Sequence, residues 1–112
     1  MKKLKEINLE AGMPTSADAL ALLKSNIANA KSGNVGCLYV IHGYGSSGKG
    51  GVIREKVRQW LHAQARNGAI KCVINGEDFD IFNAKARELK NTYIELEQLL
   101  KVCNHGVTVV EL

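Results

Sequence analysis

The stretch "LYVIHGYGSSGKGG", Leu38 to Gly51, decides how this chain is read. An apolar run ends in a histidine, and five of the nine residues that follow are glycine. Ordering glycine costs backbone entropy, so such a run marks a tight turn or a close approach to the backbone amides. Immediately upstream, "GCLYVI" is apolar throughout, the pattern of a strand with cover on both faces. Downstream, Val52, Ile53, Val57, Trp60, Leu61 and Gln64 recur at helical spacing. On the opposite side, Arg54, Arg58 and His62 fall at i, i+4 and i+8 along one stripe. Strand, glycine loop and helix form the central unit.

Working outward, "LKEINLE" alternates apolar and polar residues well enough for a short strand. Thr15 and Asp18 make a capping signal, so a helix is expected from about Ser16. Its face is Leu20, Leu23, Ile27 and Ala30, and Gly33 is its stop. After the central helix, "NG" at 67–68 turns the chain, "AIKCVI" is a third strand, and "NGED" turns it again. From about Asp80 to Val102 the seam Phe82, Ala86, Leu89, Tyr93, Leu96 and Leu100 predicts one further helix, and "VTVVEL" a last strand. The order β-α-β-α-β-α-β implies an α/β sandwich with part of the sheet parallel.

The 112 residues make one domain, expected to span 1–112. Hydrophobic residues at 46% and charged residues at 23% are ordinary for a globular chain. Aromatics are only 5%, which leaves few stacking platforms for single-stranded nucleic acid. No apolar run approaches the length of a bilayer span, and "MKKLKEINLE" lacks the apolar core of a signal peptide. A cytoplasmic location without membrane contact is expected, and Met1 is expected to open a stand-alone product. Cys37, Cys72 and Cys103 are far apart and form no CxxC pair, so reduced thiols are expected and no zinc site is read.

Charge is unevenly placed. Residues 42–71 hold six Lys and Arg against Glu55, a local +5, while the whole chain is +4. The excess therefore lies in the glycine loop and the helix after it. That is the pattern of an anion-facing loop, or of a solvated basic helix.

Two familiar loop signatures fit on paper and fail on chemistry. Gly43, Gly48 and Lys49 satisfy G-x-x-x-x-G-K, but Gly50 stands where a Mg2+-binding hydroxyl belongs. Gly43, Gly45 and Gly48 also satisfy G-x-G-x-x-G, with Glu77 or Asp78 available to a ribose. Yet Lys49-Gly50-Gly51 prolongs the loop before its helix can start. A third reading puts His42 at the carboxyl end of a buried strand, where α/β folds bind ligands. Loop amides and the next helix N-terminus form an anion site there, and Lys49, Arg54 and Arg58 add charge. His42 would then transfer a proton at a phosphodiester, or simply hydrogen-bond the loop.

"LYVIHGYGSSGKGGVIREKVRQWL" resembles the core of the Smr (small MutS-related) domain. His42, Gly43 and Gly45 match the family's H-G-x-G, and Gly51, Val52, Ile53 and Arg54 match its second block. "INLEAG" stands where the family opens with L-D-L-H-G, and "HGVTVVEL" fits its closing strand. The resemblance implies a two-layer α/β fold, β-α-β-α-β-(α)-β, similar to the C-terminal domain of translation initiation factor three. It implies binding of DNA or RNA backbone by Gly43, Tyr44, Gly45, Ser46, Ser47, Gly48, Lys49, Arg54 and Arg58. It also implies a nuclease option linked to recombination, DNA repair and mismatch repair, with His42 and Glu10 catalytic and Mg2+ or Mn2+ as an aid. Here the family's Asp and His are Asn8 and Glu10, an acid and an imidazole fewer. The helical stretch at about 79–102 departs from the family as an insertion, expected on the sheet or in a homodimer interface. A binding or interaction module without catalysis is the competing expectation.

Overall fold

The computed structural model describes residues 2–10, 15–43, 50–79, 82–100 and 105–112. β1 is Lys3–Asn8, and α1 is Ser16–Ser32. Thr15 caps α1, its Oγ1 accepting the Asp18 N–H at 3.1 Å, and Gly33 ends it. β2 is Val35–Ile41 and α2 is Gly50–Arg66. Gly68, at φ 85°, supplies the left-handed turn after α2. β3 is Cys72–Asn75, followed by a 3-10 turn at Gly76–Asp78. α3 is Ala84–Thr92, α4 is Glu95–Leu99, and β4 is Val107–Glu111.

The sheet has order β1-β2-β4-β3. β1 and β2 are parallel, while β4 runs antiparallel to both of its neighbours, β2 and β3. The expected mixed α/β architecture is thus present. Its last strand in sequence occupies an interior position.

Alternation along the strands sorts the core into two faces. Leu38 and Val40 point with Ile7, Leu9 and Val110 toward Leu23 and Ile27 of α1 and Val57 and Leu61 of α2. These sheet and helix layers form the α/β sandwich. Cys37 and Tyr39 point the other way, with Val107 and Val109, onto Ala86, Leu89, Tyr93, Leu96 and Leu100. "GCLYVI" is therefore covered on both faces, as its composition requires.

Two expectations for the last helical stretch need correction. It forms two helices where the periodicity predicts one. Asn91-Thr92-Tyr93 is a run of weak helix formers, and Tyr93 leaves the helix at φ −119°, ψ 85°. Its hydroxyl lies against Gly36, where an added Cβ would collide with it. Phe82 does not belong to the seam either: it is 87% exposed, and the buried row starts at Ala86. The rest of that row is spent on the chain's own sheet.

Candidate functional site

The carboxyl ends of β1, β2 and β3 lie at one end of the sheet, beside the amino end of β4. Polar side chains gather there on the face covered by α2. Register pairs Thr108 of β4 with Val40 on one side and Asn75 on the other, so all three share that face. His42 follows two residues after Val40 and so continues the same row.

His42 is fully buried, and both its ring nitrogens are engaged. Nδ1 lies 2.7 Å from the Gly43 carbonyl oxygen, and Nε2 lies 2.8 Å from Thr108 Oγ1. A carbonyl can only accept, so Nδ1 carries the proton and Nε2 accepts from the Thr108 hydroxyl. Thr108 Oγ1 in turn accepts from Arg58 Nε at 2.9 Å. Arg58 also donates to both Glu77 carboxylate oxygens, at 2.9 and 2.6 Å, and to the Val107 carbonyl at 2.9 Å. The result is one directed chain: Glu77 orients Arg58, Arg58 orients Thr108, Thr108 fixes the histidine tautomer, and His42 grips Gly43.

Electrostatics follow from this geometry. Burial lowers the His42 pKa to about 4, with Arg58 and Arg54 pushing the same way against the Gly43 carbonyl and Glu77. The imidazole is neutral at physiological pH. Hydrogen bonds from Arg58 hold the Glu77 carboxyl down at about 2, so that pair is ionised.

Gly43, where the glycine loop opens, is pinned from two sides. Its carbonyl is held by His42, and its N–H donates at 3.1 Å to the Gly106 carbonyl, which also accepts from His42 N–H at 2.9 Å. Its φ of 75° is left-handed, which glycine adopts without a Cβ clash. Gly43 is thus fixed at the end of the sheet.

The stripe Arg54, Arg58, His62 is brought against the strand ends. Arg54 Nη1 donates weakly, at 3.5 Å, to the His105 carbonyl, and His62 Nε2 meets Asn75 Oδ1 at 3.1 Å. Arg58 spends four of its five N–H groups within the chain, and its side chain is only 11% exposed. Arg54 is half-buried, and among the described residues only its Nη1 has a hydrogen-bond partner. Tyr44, Gly45, Ser46, Ser47, Gly48 and Lys49 lie outside the described residues.

Glu10 is exposed, just past the end of β1. Its N–H donates to Asn8 Oδ1 at 3.0 Å, a local turn. Parallel register sets Asn8 beside Ile41, and the Leu9 N–H bonds the Ile41 carbonyl at 2.8 Å, so Glu10 and His42 follow adjacent strand ends. The His42 ring, however, is directed toward β4, on the side away from β1. Among the described residues no group of three or more His, Cys, Asp or Glu could hold a metal ion. Glu10 by itself does not make the oxygen-rich set that Mg2+ or Mn2+ requires.

The sequence pattern singles out neither Thr108 nor Glu77, the latter offered, with Asp78, only within the discarded dinucleotide reading. Thr108 left one signal, a hydroxyl inside the otherwise apolar "VTVV". Glu77 left none, because its partner lies in a different element. No helix among the described residues is long and apolar enough to cross a membrane.

Comparison with known proteins bears on the same region. No curated protein and no solved structure matches the chain. The family model for the Smr domain matches residues 11–76, more than half of the sequence, and takes in β2, the glycine loop, α2 and β3. The chain belongs to the Smr family, whose domains are nucleic-acid-binding and nuclease-like.

Proposed function

We propose that this protein binds the sugar–phosphate backbone of DNA or RNA through Gly43–Gly51 and Arg54. The observation that carries this is the locked entry to the loop, where His42 and Gly106 hold Gly43 at the strand end. Fixing that entry removes part of the entropy that a glycine loop would otherwise lose on binding. Beyond the loop, α2 begins with no acidic residue in its first turn, and Arg54 follows one turn later. Backbone amides and a cation near a helix N-terminus suit phosphate oxygens and carry no sequence preference. Arg58 belongs to this site as a positioning residue that acts through Thr108 and His42.

The test is a fluorescence-anisotropy titration with duplex DNA and structured RNA across a salt series. Affinity should fall steeply with salt, and Arg54→Ala should weaken it while flattening the slope by about 0.9, the loss of one phosphate contact to duplex DNA. A salt-independent affinity, or one unchanged in Arg54→Ala, overturns the reading.

Cleavage is a second reading, favoured by the adjacent strand ends that carry Glu10 and His42. In it His42 exchanges a proton at a phosphodiester and Glu10 acts as base. The neutral, doubly bonded imidazole would first have to release Thr108 or Gly43. Supercoiled plasmid and structured RNA, incubated with and without Mg2+ or Mn2+, test it. Cleavage that persists in Glu10→Gln and in His42→Ala sinks this assignment while leaving binding intact. As an interaction module, the protein would instead dimerise through 79–102, with exposed Phe82 and Ile94 as its apolar surface. Sedimentation of the purified chain decides that alternative.

A further inference from the structure

The opposite end of the sheet holds a feature that none of this uses. A cavity of about 340 Å3 opens where β1 and β2 begin, between the end of α1 and the turn from α2 into β3. Its wall is apolar at Val35 and Ile70, and its rim carries Lys2, Lys31 and Lys71. Among the described residues no carboxylate side chain lines it. Three of the eight residues that line it are lysines.

Each lysine has a different reason to be held there. Lys31 sits in the last turn of α1, and its ammonium donates to the Ala69 carbonyl, which draws it across to the α2–β3 turn. The Lys71 N–H is fixed to the Glu111 carbonyl at 3.0 Å, so its backbone is part of the sheet edge. Lys3, next to Lys2, donates its N–H to the Asn34 carbonyl at 2.8 Å, which ties the start of β1 to the entry of β2. Gly68 leaves the mouth open, since an added Cβ there would meet nothing within 4 Å.

Helix dipoles do not account for this cluster. Lys31 fits the negative end of α1, but Lys2 and Lys71 lie outside any helix. Like charges gathered around a concave surface without acids repel one another, and a bound polyanion relieves that repulsion. Lysine ammonium groups bind phosphate as point charges, without the fork geometry that a carboxylate draws from arginine.

We infer that this cavity is a phosphate-binding site, separate from the glycine-loop end. The two ends are about 20 Å apart, the six residue steps of β2 from Val35 to Ile41 at roughly 3.3 Å each. The phosphate belongs either to a small phosphorylated molecule or to a second stretch of a bound nucleic acid. The lysine chemistry is the same for both.

The experiment is an NMR amide titration of the full chain at low salt, with pyrophosphate in one arm and an oligonucleotide lacking terminal phosphates in the other. Pyrophosphate should shift the amides of Lys31, Val35 and Gly68 to Lys71. Lys31→Gln with Lys71→Gln should weaken that binding about tenfold, the effect of two partly exposed ion pairs. Lys71→Gln, whose side chain makes no hydrogen bond among the described residues, is the variant free of folding effects. The same shifts from the oligonucleotide assign the site to a nucleic-acid backbone, and shifts from pyrophosphate only assign it to a small phosphate ester. The inference is overturned if neither ligand shifts these amides, or if the lysine variants respond as the parent does. Arg54→Ala separates this result from the glycine-loop reading, because it should leave the pyrophosphate shifts unchanged.

Discussion

Thr108 has one hydroxyl and two demands on it. It accepts from Arg58 and donates to His42, so its loss strands a buried cation donor and a buried ring nitrogen together. Thr108→Val keeps the shape and removes the oxygen. It should cost about 1–3 kcal/mol in urea denaturation, while Thr108→Ser should recover most of that. The network also sets the response to acid. An unfolded histidine takes up its proton near 6.5, whereas His42 in the fold resists until about 4. Over that interval the unfolded chain binds the extra proton, so stability is full above the upper value and falls as pH drops. Glu77 extends the loss, since its carboxyl protonates near 4.5 when unfolded and near 2 when paired. Denaturation midpoints should therefore decline from pH 6.5 downward, with the His42 part worth about 3 kcal/mol. A flat profile to pH 4 contradicts a buried, neutral His42. His42 and Gly43 stood out as candidates from their place at a strand end, and Arg54 from helical spacing. Thr108 and Glu77 did not, because they stand 66 residues from His42 and 19 from Arg58, respectively, and only strand register brings them in.

Elements were legible wherever one period dominated. Thr15, Gly33 and the apolar run 36–41 marked α1 and β2 from local chemistry. The last helical stretch was misjudged because a seam at helical spacing continues through Tyr93 even though the backbone does not. What breaks it is long-range. The β1–β2 register slips between Lys3 and Leu4, with Lys3 opposite Val35 and Leu4 opposite Cys37. Gly36 is the extra residue, and its missing Cβ makes room for the Tyr93 hydroxyl. Gly36→Ala should push Tyr93 off β2 and cost about 1–3 kcal/mol, the usual range for overpacking. Tyr93→Phe in the same chain should recover part of that loss, because it removes the colliding oxygen. The stripe Arg54, Arg58, His62 teaches a related lesson. Helical spacing placed it on one side of α2, and only the topology showed that this side meets the ends of β3 and β4.

For the molecule as a whole, the alternation of strands and helices was enough to give an α/β sandwich with a partly parallel sheet. Strand order was not available from it, since a last strand can join an edge or enter the middle. β4 enters the middle, between β2 and β3. That placement has a consequence for how the chain is made. Until residue 111 has emerged from the ribosome, β3 has no neighbour in the sheet, and β2 has only β1. The Arg58–Thr108 contact is also still missing. The residues matched by the family model, 11–76, hold β2 and β3 but neither strand that pairs with them. A fragment cut to those limits should give no cooperative melt and should show the circular dichroism of a largely unfolded chain, while residues 1–112 melt in one transition. Assembly of the sheet therefore waits for β4, and the bonds that hold Gly43 through the Gly106 carbonyl form only then.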